Sequence, residues 1–186
     1  GSISSTGAFN ATGNVNLAAN ITTTNTDLTI GGNLVIAEAA SPTLSTGAGA
    51  GHIVVTGTTN GTAGGAAESL TVLAGTGNVT FTGDVGNNTD ALELEALTVT
   101  SAATTLFSGK IELANALTQS AGSVATTFND TVNVGSAALT GTAYNLNNSF
   151  SSGGATTITN SGTLTKNATG SISSTGAFNA TGNVNL

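Results

Sequence analysis

The sequence predicts an all-β fold, a parallel β-helix (β-solenoid) of about seven or eight coils averaging about 21–24 residues. Three observations predict it. Short runs alternate apolar and polar residues, the period of a strand with one buried face, and Gly, Asn and Ser punctuate them. Two marker residues recur at a mean spacing of about 24 residues, a length within the solenoid range. The segment 1–17, GSISSTGAFNATGNVNL, returns letter for letter at 170–186.

The identity comes first because it sets the organisation. Surface positions drift freely, so seventeen identical letters imply a long unit copied whole. The two copies begin at Gly1 and Gly170, which divides the chain into one long unit, 1–169, and the start of the next, 170–186, with no domain boundary between them. Reading past Leu186 is expected to return to Ala18, within an array of near-identical units.

Inside the unit, Leu followed by Thr or Ser stands at Leu28, Leu44, Leu70, Leu97, Leu117, Leu139 and Leu164, at irregular intervals. Phe stands at Phe81, Phe107, Phe128, Phe150 and Phe178, and Phe9 precedes Phe81 by three times the mean spacing. Local alignment agrees. Glu-Ser-Leu-Thr-Val at 68–72 leads to Thr-Phe-Thr-Gly-Asp-Val at 80–85, as Glu-Ala-Leu-Thr-Val at 95–99 leads to Leu-Phe-Ser-Gly-Lys-Ile at 106–111. A third copy runs from Leu117 to Thr-Phe-Asn-Asp-Thr-Val at 127–132. Only 114–119 is ambiguous between helix and strand. About 24 residues with two or more short strands is too little for a sandwich domain and enough for one solenoid coil, each strand pairing with its equivalent one coil on. The long stretch from Leu164 to the next expected Leu28 leaves room for an eighth coil.

Composition removes several classes of function. Two lysines, no arginine and a formal charge of −7 supply no basic stripe for a phosphate backbone or an anionic bilayer. One histidine, His52, and no cysteine leave no tetrahedral zinc site, thiol nucleophile or serine triad, so the chain is not expected to be an enzyme. No run approaches the ~20 apolar residues of a membrane span, and no leader of the cleavable type stands at the start. A 38% hydrophobic content and a mean hydropathy of +0.23 argue for order, despite the abundance of small residues.

Gly-Gly-Asn-Leu-Val-Ile at 31–36, Gly-Asn-Val at 77–79 and Gly-Asn-Val at 13–15 resemble the haemagglutinin-type and related β-strand repeats of giant bacterial surface proteins. That resemblance implies a right-handed, secreted parallel β-helix serving as an adhesin or fibrous surface structure. Independently of it, Gly permits a positive φ at a corner, Asn tolerates the left-handed region beside it, and Asn at successive corners can stack its amides.

Candidate chemistry is sparse. Glu68 and Glu95 precede the Leu-Thr-Val anchor in adjacent copies, so a solenoid places them one above the other, either as a calcium bridge or as two solvated side chains. Asp84 and Asp90 flank a Gly-Asn-Asn turn that matches neither an EF-hand nor a calcium-binding nonapeptide, which favours a polar corner over weak calcium ligation. Glu93 and Glu95 share an outward face. Thr-x-Thr at 22–24, 24–26, 80–82, 98–100 and 140–142 is similar to ice-binding solenoid surfaces, although no single file down one face is visible in the sequence. Sequons begin at Asn10, Asn20, Asn60, Asn78, Asn87, Asn129, Asn147, Asn167 and Asn179, against the roughly six that this composition yields by chance, an excess too small to be a signal. His52 is expected to point outward at a strand start.

The expected role is structural: a repeat unit of a secreted, fibre-forming surface protein, with neighbouring copies of the same unit as partners, end to end and also side by side. An adhesin stalk or ligand surface and tandem β-sandwich domains are the alternatives.

Overall fold

The computed structural model describes residues 1–62, 68–87, 94–167 and 169–186. Among them the chain forms 21 strands and no helix, wound as a β-solenoid of about eight turns with three faces per coil. Every strand pairing is parallel. Among the described residues nothing folds back face to face as two sheets, so the β-sandwich alternative is overturned: each strand's partner is its own equivalent one coil on.

Face A carries β1 (Ile3–Ser5), β4 (Ile21–Thr23), β7 (Thr43–Ser45), β10 (Ser69–Leu73) and β12 (Ala96–Ser101). It continues through the second half of β14 (Ile111–Gln119), the second half of β16 (Val132–Gly141), and the first halves of β19 (Thr156–Lys166) and β21 (Phe178–Asn185). Face B carries β2 (Phe9–Ala11), β5 (Leu28–Ile30), β8 (Ile53–Val55), β11 (Val79–Phe81), β13 (Thr104–Phe107), β15 (Ala125–Phe128) and β17 (Ala143–Leu146), then the second halves of β19 and β21. Face C carries β3 (Val15–Leu17), β6 (Leu34–Ile36), β9 (Thr59–Asn60), a bridge at Val85, the first halves of β14 and β16, β18 (Phe150–Ser152) and β20 (Ile172–Ser174). Because β14, β16, β19 and β21 bend round a corner, the ladders merge into one eighteen-stranded sheet, with β3, β6 and β9 apart. Residues 114–119 belong to β14, which resolves that segment as strand.

On face A, eight pairings lead from Ile3 through Ile21, Leu44, Val72, Val99, Gln119, Leu139 and Ile158 to Ala180, a mean of about 22 residues per coil. The predicted alignments hold residue for residue, Leu70 on Leu97 and Phe81 on Phe107. The leucine marker, however, is not one column. Leu28 and Leu164 lie on face B and the other five on face A, so the gaps after Leu28 and before Leu164 cross from face to face. The irregular spacing in sequence is this change of face, added to a real spread of coil length between the short step from Ile3 to Ile21 and the long step from Leu44 to Val72.

Strand residues alternate buried and part-exposed, and the inward set fills the bore with Leu, Ile, Val and Phe. Phe81, Phe107 and Phe128 stack with ring centroids 5.4 and 5.2 Å apart and planes within 3°, and Phe150 closes the row edge-on at 5.9 Å. Parallel rings at this offset follow from the register: identical residues one strand spacing apart adopt one rotamer and stack.

Candidate functional site

The chemistry-bearing side chains lie mainly at the corners, where backbone N–H groups leave the sheet ladders and need acceptors. An Asn, Asp or His side chain in one coil supplies the acceptor for an N–H in the next. Asn14 Oδ1 accepts from Asn33 N–H at 2.8 Å, Asn33 Oδ1 from Thr58 N–H at 3.0 Å, and Asn78 Oδ1 from Thr104 N–H at 3.2 Å. This corrects the expectation for the Gly-Asn corners. None of Gly13, Gly31, Gly32 or Gly77, nor the Asn that follows, has a positive φ. Close approach requires glycine at two of these places: a Cβ on Gly32 would stand 2.5 Å from the Gly13 carbonyl carbon, and one on Gly77 2.0 Å from the Gly51 oxygen, whereas one on Gly13, in the first coil, would meet nothing within 4 Å. The Asn is required as an acceptor. Amides do stack at another corner, where Asn147 Nδ2 donates to Asn129 Oδ1 at 2.8 Å and Asn167 Nδ2 to Asn147 Oδ1 at 2.6 Å.

His52 is exposed and stands in such a ladder. Its N–H donates to Asp27 Oδ1 at 2.8 Å and its Nδ1 accepts from Asn78 N–H at 2.9 Å, so it serves where other coils use Asn or Asp. An accepting Nδ1 places the ring proton on Nε2. The sequence could not reveal this role, because the partner belongs to the next coil.

The predicted acidic residues separate into different settings. Glu95 N–H donates to the Glu68 carbonyl at 2.8 Å, so the two are stacked as expected, but their side chains take different partners. Glu68 is buried and its Oε1 accepts from Thr62 Oγ1 at 3.0 Å, whereas part-exposed Glu95 accepts from Asn115 Nδ2 at 3.3 Å. Asp84 Oδ1 accepts from Lys110 N–H at 2.8 Å, another corner ladder. Asp90 and Glu93 lie outside the described residues. Among the described residues, no three His, Cys, Asp or Glu side chains gather as a metal-holding group.

The structure reveals an arrangement the sequence hides. One outward file on face A runs Thr43, Thr71, Thr98, Thr118, Ala138, Thr157 and Asn179. Two positions along each strand a second file includes Ser4, Thr22, Ser45, Leu73 and Ser101, then Thr140, Thr159 and Thr181 further on. Hydroxyls therefore stand about 4.8 Å apart along the axis and about 7 Å apart across it. Only some of these residues occur as Thr-x-Thr, since Ser45, Leu73 and Ala138 break the letter pattern while keeping the register.

Where faces A and B meet, Ser120, Gly122, Thr140, Thr142, Thr159 and Asn160 help line an open groove of about 370 Å³ that contains no ionisable side chain. Close by, the side chain of Tyr144 is fully buried, its hydroxyl has no hydrogen-bond partner, and burial pushes its ionisation well above the ordinary phenol range. Gln119 Oε1 accepts from Thr126 Oγ1 at 2.7 Å inside the same bore.

No family model, curated protein or solved structure matches this chain.

Proposed function

We propose that the chain is a structural repeat unit of a secreted, fibre-forming surface protein, in which tandem units stack coil upon coil. One observation carries this reading: the repeated segment 170–186 winds directly onto the coils of the unit before it, with Ile172 on Phe150, Phe178 on Thr156 and Val184 on Leu164. Sequence repetition thus extends the stack instead of starting a separate body. Four of the five large hydrophobics left exposed among the described residues, Ile3, Phe178, Val184 and Leu186, lie in the two end coils, Val124 being the other. A cavity of about 220 Å³ opens beside Ile3, Phe9 and Val15 in the first coil. Such ends suit another coil of the same kind.

The role is mechanical. Axial load is shared by the backbone hydrogen bonds of all three faces, and a stacked coil covers the sheet edge that would otherwise recruit other chains. Eleven charged residues in 186 let identical coils stack with little accumulated repulsion. Images of the full parent protein on intact cells, with diffraction from aligned filaments, test the reading. Thin surface filaments with a meridional reflection near about 4.8 Å are expected; separated beads, or protein confined to the cytoplasm, overturn it.

The hydroxyl files on face A favour a second reading, a ligand- or ice-binding surface. Inhibition of ice recrystallisation by the chain, abolished in Thr98→Lys, would support it; equal activity in both proteins would remove it.

A further inference from the structure

The two copies of the repeated segment occupy different faces. In the first copy Ile-Ser-Ser lies on face A, Phe-Asn-Ala on face B and Val-Asn-Leu on face C, paired respectively with Ile21–Thr23, Leu28–Ile30 and Leu34–Ile36. In the second, Ile172–Ser174 pairs with Phe150–Ser152 on face C, Phe178 and Asn179 pair with Thr156 and Thr157 on face A, and Val184 pairs with Leu164 on face B. Identical residues have moved back by one face.

The reason is arithmetic. Ile3 opens the first coil and Ile172 stands in the last strand place of the eighth, so one unit advances seven full coils and two further strand places. At three places per coil that makes 23, which three does not divide. Side-chain chemistry permits the shift because all three faces have an inward bore position where these residues land: Ile172 meets Phe150, Val184 meets Leu164, and Phe178 pairs with the buried Thr156, whose methyl it can cover. Pairings inside a unit are untouched by the shift, since each strand always sits three places after its partner. Only the junction is new, and the structure contains its three strand contacts.

We infer that each unit docks on the one before it turned by a third of a coil, so that the array recovers its starting orientation only after three units. This rests on the tandem-fibre reading above. Three units make 69 strand places, or 23 whole coils, with an axial rise of about 37 Å per unit and a true repeat of about 110 Å. The threonine files of face A pass to face C in the second unit and to face B in the third. No direction around the fibre is then privileged, and a neighbouring fibre meets the same surface from each of three sides, offset by one unit along the axis.

The chain contains no cysteine, so introduced pairs report register directly. In this chain, Ser151→Cys with Ser173→Cys tests the turned junction, and Thr159→Cys with Ser173→Cys tests a junction without the turn, since the column that begins at Ser4 reaches Thr159. Thr98→Cys with Thr118→Cys gives the same geometry within a unit. Cross-linking by a short dibromobimane, fluorescent only when both thiols react, is expected for the first and third pairs and not the second. Reaction of the second pair, or failure of the first while the third reacts, overturns the inference, whether or not fibres form. Diffraction from filaments of the full parent then supplies the long repeat: layer lines indexing on about 110 Å, with meridional intensity only on every third. A repeat of one unit with meridional intensity on every line would overturn the turn and leave the fibre itself standing.

Discussion

Tyr144 shows how much a single residue can depart from the pattern around it. On face B its column reads Phe9, Leu28, Ile53, Val79, Thr105, Thr126, Tyr144, Leu164 and Val184, so the phenol takes a place that most other coils fill with an aliphatic or a threonine. Its hydroxyl reaches the corner at Gly141, where a Cβ would come within 2.9 Å of it. An unpaired buried hydroxyl costs about 1–3 kcal/mol, so Tyr144→Phe is expected to stabilise the chain by about 1–2 kcal/mol in urea titrations near neutrality. The pH dependence has a definite sign. Burial raises the folded phenol's pKa above its ordinary value near 10. The protonated form is therefore favoured in the fold, full stability persists below about pH 10, and stability falls as pH rises through that value and the unfolded chain alone ionises. Tyr144→Phe should flatten the alkaline limb; an unchanged limb would show that the phenol does not cause it.

At the level of the element, the phenylalanine row stacks aromatic rings through successive coils of the bore. Phe107 lies between Phe81 and Phe128, each face covered by a ring. Phe107→Ala removes two stacking partners at once and is expected to cost about 3–5 kcal/mol, read as a fall in the urea midpoint. Leu106→Ala, on the outward side of the same strand, should cost far less. This row was legible in the sequence, because Phe81, Phe107 and Phe128 recur close to the coil spacing in equivalent surroundings. So was the stacking of Glu68 on Glu95. The threonine files were not, since their members are defined by pairing from coil to coil, and Leu73 and Ala138 interrupt the letters without interrupting the register. Nor was the part played by His52: a corner acceptor is recognised by the N–H above it, and nothing local marks which N–H that will be. The Gly-Asn corners at Gly32 and Gly77 were found for the wrong reason, as backbone curvature, when contact between successive coils fixes the glycine; at Gly182, the second copy of Gly13, φ is positive as expected.

For the whole molecule, a stack in which each coil touches only its neighbours should lose order locally. Thr98→Pro removes an N–H from a central strand of face A, a position where proline has no place in a sheet. Amide exchange in the coils containing β10, β12 and the second half of β14 is expected to quicken by at least about tenfold, while β4, β5 and β17 keep their protection. Uniform acceleration over all coils would mean that the solenoid melts as one cooperative body.

The corner ladders also have a direction. In the pairs Asn14 to Asn33, Asp27 to His52, His52 to Asn78 and Asp84 to Lys110, the earlier residue supplies the side-chain acceptor and the later one brings the N–H. At these corners a newly delivered length of chain therefore finds its side-chain acceptors already displayed on the turn beneath it, while backbone N–H groups such as those of Ile3 and Leu28 donate forward to the next turn. Winding can keep pace with a polypeptide that emerges amino end first, each finished turn serving as the mould for its successor. A chain threaded out in the opposite sense would present these four corner donors before their side-chain acceptors were in place.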